Sequence, residues 1–331
     1  MNANVTEVAD RAHSAQLGER PNPIGAPMQI GEVGADAPPT FMVPPRRDGI
    51  FAVIHLDDRE ATLRVAALTA RGSFQTLRSE REPFVPGGRS PQDPRVVATE
   101  VAVRLADILT RFQRIAEMHG AAVRAVAGQA FLSVPNAYNL LKRLPRVTRV
   151  ALELLSERDA ARIICLAALR GRGQGERSLL IDVGDDATSI TLAEAEDPLA
   201  LWRLAIGTSQ LVALGGSSDK VQAATWRRRI QQTLAMGHLE TIRGAAPQAV
   251  LLKRRDRAPV ERDGDADADR EVLRRLATIA LLEEIAAYLN IAQVQSTERG
   301  LQDGILIELS RAVVGAAAIT ASQIQSTPRF R

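Results

Sequence analysis

The chain has 331 residues, 45% hydrophobic and 24% charged, which excludes global disorder and provides for one large core or two moderate ones. Its 42 basic and 39 acidic residues leave a formal net charge of +3, so no strong long-range field draws it to nucleic acid or an anionic surface. Aromatic residues are 3%, too few for a base-stacking platform, and the lone cysteine, Cys165, excludes an internal disulfide and a multi-cysteine metal site.

Residues 1–48 read as a disordered proline-rich arm. Pro21, Pro23, Pro27, Pro38, Pro39, Pro44 and Pro45 interrupt any period, and the segment has little apolar surface to offset its ordering entropy. Structure is expected from Ile50. Phe51–Leu56, Ala61–Thr69 and Gly72–Glu82 read as three sequential strands, the second alternating through Leu63, Val65 and Ala67. A helix follows from Asp93-Pro94 to Met118, with Val97, Val101, Leu105, Ile108, Phe112 and Ile115 on one face. Val123–Ala127 is a short strand and Pro135–Leu144 a helix. After a strand at Val150–Leu155, Ser156 caps a helix that carries Glu157 and Asp159 in its first turn and ends near Leu169.

The order then restarts. Ser178–Val183 is as apolar as a buried central strand, and Ala187–Ala195 and Leu199–Ile206 follow it. Helices are expected over Ser209–Leu214 and Lys220–Leu239, with a strand at Gln248–Leu252. Lys253–Asp269 reads as a charged loop and Glu271–Leu289 as an apolar helix. A last strand at Gln293–Gln295 and a last helix at Gly300–Leu309 complete the series. Three strands, then helical crossovers, twice over, predict an α/β protein of two ribonuclease-H-like lobes around a cleft. The first lobe spans 49–176 and the second 177–310, with a tail at 311–331. No stretch approaches a membrane span and Met1–Arg20 lacks an apolar signal core, so a cytoplasmic location is expected.

In such a cleft the loop after the first strand of each lobe handles phosphate. The first is His55-Leu56-Asp57-Asp58-Arg59-Glu60, with no glycine. The second is Asp182-Val183-Gly184-Asp185-Asp186-Ala187-Thr188-Ser189. Asp57, Asp58, Asp182, Gly184, Asp185, Thr188 and the later Gly207 are the phosphate- or metal-binding candidates. Trp226-Arg227-Arg228-Arg229 and Arg254-Arg255-Asp256-Arg257 read as solvated basic faces, because no aromatic residues interleave them. Cys165, inside Ile163–Ala167, reads as a buried structural thiol.

These blocks, with Ala127–Asn136, Leu155–Ile163 and Gly300–Gly304, resemble the exopolyphosphatase and guanosine-pentaphosphate phosphohydrolase (Ppx/GppA) family of the actin-like ATPase superfamily. The likeness runs from Phe51 to Leu309 and is strongest over Val123–Gly207. Block order and spacing match; the residues inside the blocks diverge. His55 stands where the family has aspartate, and Leu132 where it has a phosphate-contacting arginine. The glutamate that activates water in the family falls on Ala160, while Ser156, Asp159, Ala161 and Arg162 keep the block's frame. Asp185 and Asp186 replace two glycines of the phosphate loop, Ser189 replaces its glutamate, and Gln302 replaces an arginine between Gly300 and Gly304.

The resemblance implies a phosphoryl-transfer site from which a base is missing, and a general base contributes on the order of 10²–10⁴ in rate. Asp159 is a substitute base one residue early, although one residue turns a helical side chain by about 100°. Arg162 would then serve phosphate or pair a neighbouring acid. The favoured expectation is a non-catalytic binding or regulatory module. One alternative is an active hydrolase of phosphoric anhydrides that uses magnesium held by Asp182. The other is a sensor of nucleotide or polyphosphate without turnover. The partners this admits are polyphosphate, guanosine tetra- or pentaphosphate and a second copy of the chain.

Overall fold

The computed structural model describes residues 28–29, 49–57, 60–83, 99–128, 131, 137–215, 219–246, 248–252 and 265–325. The strands are β1 (Met28–Gln29), β2 (Ile50–Leu56), β3 (Glu60–Leu68), β4 (Phe74–Pro83), β5 (Ala122–Ala127), β6 (Leu152–Leu154), β7 (Arg177–Val183), β8 (Thr188–Glu194), β9 (Asp197–Leu204), β10 (Gln248–Leu252) and β11 (Gln293–Thr297). The helices are α1 (Thr99–Met118), α2 (Ala137–Thr148), α3 (Glu157–Ala168), α4 (Thr208–Leu214), α5 (Asp219–Met236), α6 (Asp265–Leu289) and α7 (Leu301–Gln325).

One sheet has the order β4-β3-β2-β5-β6 and the other β1-β9-β8-β7-β10-β11. Without β1 the two orders are the same. In each, three sequential strands pair antiparallel and two later strands add in parallel. This is the expected pair of ribonuclease-H-like lobes, with β2 and β7 as the central strands. Phe51–Ile54 and Ser178–Ile181 are buried on both faces.

Helices α1 and α2 cover one face of the first sheet, with Leu105, Leu109, Phe112 and Leu144 packed on Ile54, Leu63 and Val65. Helices α4, α5 and α6 cover one face of the second, where Trp226, Ile230, Leu281 and Ile285 meet Leu179, Ile181 and Ile190. Between the sheets lie α3 and α7. Ile163 of α3 joins Phe51 and Val53, while Cys165 and Leu169 join Leu180, Ala193 and Val250 of the other lobe. Helix α7 follows the last strand of the second sheet yet packs on the first, through Ile305, Leu306 and Leu309.

Several boundaries differ from those read in the sequence. Helix α2 runs past Leu144 through Pro145, because its last turn is held by the Thr148 hydroxyl on the Leu144 carbonyl and by the Arg149 N–H on the Pro145 carbonyl. Helix α6 begins at Asp265, inside the expected charged loop. Helix α7 continues from Leu309 to Gln325 through an alanine-rich stretch of high helix propensity. Within the proline-rich arm, Met28 and Gln29 pair antiparallel with Leu201 and Ala200 at the edge of the second sheet. The rest of that arm, the Asp93–Ala98 start of the first helix, residues 132–136, the basic run at 253–257 and residues 326–331 lie outside the described residues.

Candidate functional site

The two phosphate-loop positions follow β2 and β7 and are closed by equivalent backbone hydrogen bonds. Asp57 N–H donates to the Glu60 carbonyl at 2.9 Å, and Gly184 N–H to the Ala187 carbonyl at 2.9 Å. His55 is half-buried in β2, opposite Thr62 and Val126. Asp182, the penultimate residue of β7, lies between Ser189 and Leu252. Asp58 lies outside the described residues.

The second turn is filled by its own chain. The Thr208 N–H donates to the Gly184 carbonyl at 3.0 Å and the Ser209 N–H to the Asp185 carbonyl at 2.9 Å. The Thr208 hydroxyl donates to Asp185 Oδ1 at 3.0 Å. Asp185 is therefore buried against the amino end of α4, while Asp186 is exposed. Asp185, a phosphate- or metal-binding candidate from the sequence, is turned inward by these hydrogen bonds to α4. Thr188 is buried and its hydroxyl donates to the Ile206 carbonyl at 2.8 Å. Gly207 touches this turn directly: a Cβ there would lie 2.3 Å from the Asp185 carbonyl oxygen and 2.6 Å from the Asp186 nitrogen.

The amino end of α3 is closed in a similar way. Ser156 is the N-cap and accepts from the Asp159 N–H at 3.1 Å, while its hydroxyl donates to Asp159 Oδ2 at 2.6 Å. The Asp159 carboxylate is thereby held at the cap. Ala160 presents no functional group, and its N–H donates to the Ser156 carbonyl. Glu157 bridges the lobes by an ion pair with Arg203 of β9.

Arg162 pairs an acid. It meets Glu308 of α7 at 2.6 Å, and Glu308 also holds Arg124 at 2.6 Å. Arg124 reaches Glu153 with two further nitrogens at 3.0 and 3.1 Å. Burial alone would lower the Arg124 pKa, but the hydrogen bonds to Glu153 and Glu308 and their charges outweigh it and leave it above the usual value.

The start of α7 ties the lobes again. Gln302, at the family's arginine position, donates to the Thr62 hydroxyl of β3 at 2.8 Å. Asp303 accepts the Gly300 N–H at 3.1 Å and pairs Arg64 at 2.6 Å, and Arg64 also donates to Thr76. Sequence reasoning missed Arg64, Asp303, Arg124, Glu153 and Glu308. One signal was available: Arg64 interrupts the buried run Leu63–Ala66 of an inner strand, where a charge requires a partner.

Among the described residues, no three His, Cys, Asp or Glu side chains group where they could hold a metal ion. Asp57, Asp182 and Asp185 are thus not brought together as a ligand set. Also among the described residues, no helix is long and apolar enough to cross a membrane.

A model of the Ppx/GppA phosphatase family matches residues 72–253, more than half of the chain. Among solved structures, the chain is similar to an Aquifex aeolicus Ppx/GppA family member, 14% identical, with a TM-score of 0.66 over 78% of this chain and 96% of that one. It is also similar to an exopolyphosphatase from Cytophaga hutchinsonii, 15% identical, with a TM-score of 0.61 over 80% of this chain and 98% of that one. At these identities the likeness speaks for the fold.

Proposed function

The chain belongs to the Ppx/GppA phosphatase family, and from that premise we propose that it is a non-catalytic member working in the cytoplasm as a binding or regulatory module. The observation that carries this reading is the Ser156–Asp159 pair: the acid nearest the family's water-activating position accepts the hydroxyl of the helix-capping Ser156. Ala160 beside it cannot take a proton. Phosphoryl transfer also needs donors aimed at the developing charge. In the second turn the Thr188 hydroxyl, the Thr208 hydroxyl and the Thr208 and Ser209 N–H groups are all directed to protein oxygens. With base and donors both engaged, a residual hydrolase would lose at least the 10²–10⁴ or so that a general base supplies.

The test is phosphate release from polyphosphate and from guanosine pentaphosphate with magnesium. Release at the rate of the protein-free control is expected. Turnover that disappears in Asp159→Ala or Asp182→Ala overturns the reading in favour of an active hydrolase. Calorimetry with polyphosphate and guanosine tetraphosphate, with and without magnesium, then separates a ligand-binding module from one that acts through its protein surface alone.

A further inference from the structure

We propose that the exposed face of α2 is a docking surface for a different protein, which lays an acidic helix along it. Helix α2 seats Leu141 and Leu144 in the first core and turns Lys142, Arg143 and Arg146 to solvent, with Arg149 just past its end. It carries no acidic residue. Like charges three or four residues apart on a helix repel, as Lys142 and Arg143 do with Arg146, and Arg146 with Arg149. Among the described residues none of these four cations forms an ion pair, whereas the exposed Arg111, Arg203 and Arg227 each meet a glutamate. Arg146 and Arg149 suit the negative end of the helix dipole, but Lys142 and Arg143 precede the last turn, where that effect fades. The backbone φ at Arg149 is 59°, a conformation that glycine adopts more readily, so the fourth cation stands where local structure alone would favour another residue.

The surroundings of the cations choose the occupant. Val147 and Tyr138 are 72% and 55% exposed beside them, and the Lys142 ammonium lies 4.2 Å from the centre of the Tyr138 ring. Apolar groups among charges gain from a protein partner, whose own apolar side chains cover them, and nothing from a bare phosphate chain. Lys142, Arg146 and Arg149 follow spacings of four and three residues, so they form one stripe with steps of about 6 and 4.5 Å along the axis. Glutamates at the same spacings on a second helix repeat those steps, and each arginine can take a carboxylate through its planar fork. A membrane fits less well: an interfacial helix buries its apolar face in lipid, and that of α2 is already taken by the first core. Nucleic acid would need more aromatic side chains than Tyr138 to stack on. The surface lies on the outer side of the first sheet, and the proposal stands whether or not hydrolysis remains.

Fluorescence anisotropy of the full chain with a labelled synthetic helix tests it. The probe is an alanine- and leucine-based peptide that repeats glutamate at spacings of four and three residues; a second peptide has lysine in place of glutamate. The glutamate peptide should bind the wild type, and more weakly as salt rises. Arg143→Glu/Arg146→Glu should weaken that binding by about tenfold or more and should bind the lysine peptide instead. Arg228→Glu/Arg229→Glu, which reverses two exposed cations on α5, should leave the glutamate peptide bound as before. Thermal melts confirm that each variant folds, and the gain of the lysine peptide guards against a folding artefact. No binding of the glutamate peptide, binding indifferent to the α2 reversal, or an equal loss with the α5 reversal overturns the proposal. Tighter binding of phosphatidylserine vesicles or duplex DNA through the same α2 residues also overturns it, in favour of that partner.

Discussion

Gly304 of α7 and Ile163 of α3 meet backbone to backbone. A Cβ at Gly304 would lie 2.0 Å from the Ile163 carbonyl oxygen and 2.6 Å from its Cγ2. The two helices that lie between the sheets cross here, and the second glycine of the Gly300–Gly304 block is explained by that crossing. Gly304→Ala gains helix propensity, up to about 1 kcal/mol. The contact is with backbone, so the helices must separate, and overpacking of this kind costs roughly 1–3 kcal/mol. Net destabilisation is expected, read as a lower urea midpoint at unchanged slope. A midpoint equal to or above the wild type would show that the helices move apart freely.

What could be read from the sequence was local. The strands at Ile50–Leu56 and Arg177–Val183 were legible because a run of apolar residues has few alternatives to a buried strand. The Ser156 cap was legible because its partner Asp159 is three residues away. The Thr208–Asp185 bond joins residues 23 positions apart, and nothing in either segment announces the other. The return of α7 to the first sheet was hidden for the same reason: Leu306 and Leu309 meet Phe51 and Val53 only through the whole topology. Arg162 could be assigned to an acid in kind, but Glu308 could not be named until α7 was placed.

Glu308 links two arginines, one well buried and one open. The side chain of Arg124 is 13% exposed and that of Arg162 is 44% exposed. Glu308→Ala leaves Arg124 with Glu153 alone, and a buried charge deprived of a hydrogen-bond partner costs about 1–3 kcal/mol. Arg162→Ala removes a solvent-screened pair, where the loss is about 0–1 kcal/mol. Denaturant unfolding should therefore rank Glu308→Ala well below Arg162→Ala, with Glu308→Gln between them. Equal losses for the two alanine variants would mean that Arg124 gains nothing from Glu308.

Cys165 is fully buried, and burial, with the nearby Asp197 charge, pushes its thiol from 9.0 up to about 12. The folded value lies above the unfolded one, so the contribution of the neutral thiol is complete below about pH 9 and is lost as pH rises toward 12. Within that window it falls by about 1.4 kcal/mol per pH unit. The stability advantage of the wild type over Cys165→Ala should shrink across the same window, as seen in urea midpoints from pH 8 upward. At pH 8 a thiol-reactive disulfide reagent should label the native protein only as fast as it unfolds. Rapid labelling without denaturant would place the sulfur at the surface.

Asp185 and Asp186 act on an incoming anion in different ways, one by occupying the amino end of α4 and the other by its exposed charge. A carboxylate about 4 Å from a phosphate charge, at an effective dielectric near 20, costs roughly 4 kcal/mol. Replacing both by glycine frees the Thr208 hydroxyl and removes both charges. It also deprives Thr208 of its partner in the unliganded protein, at about 1–3 kcal/mol of stability. The double variant Asp185→Gly/Asp186→Gly should melt lower than the wild type and bind tripolyphosphate at least about tenfold more tightly by calorimetry, since tenfold needs only about 1.4 kcal/mol. Asp186→Gly alone removes the exposed charge and leaves the Thr208–Asp185 bond in place, so its gain should be smaller. If the single variant binds as well as the double, the Asp185 bond does not close the turn, and the exposed charge alone keeps the anion out.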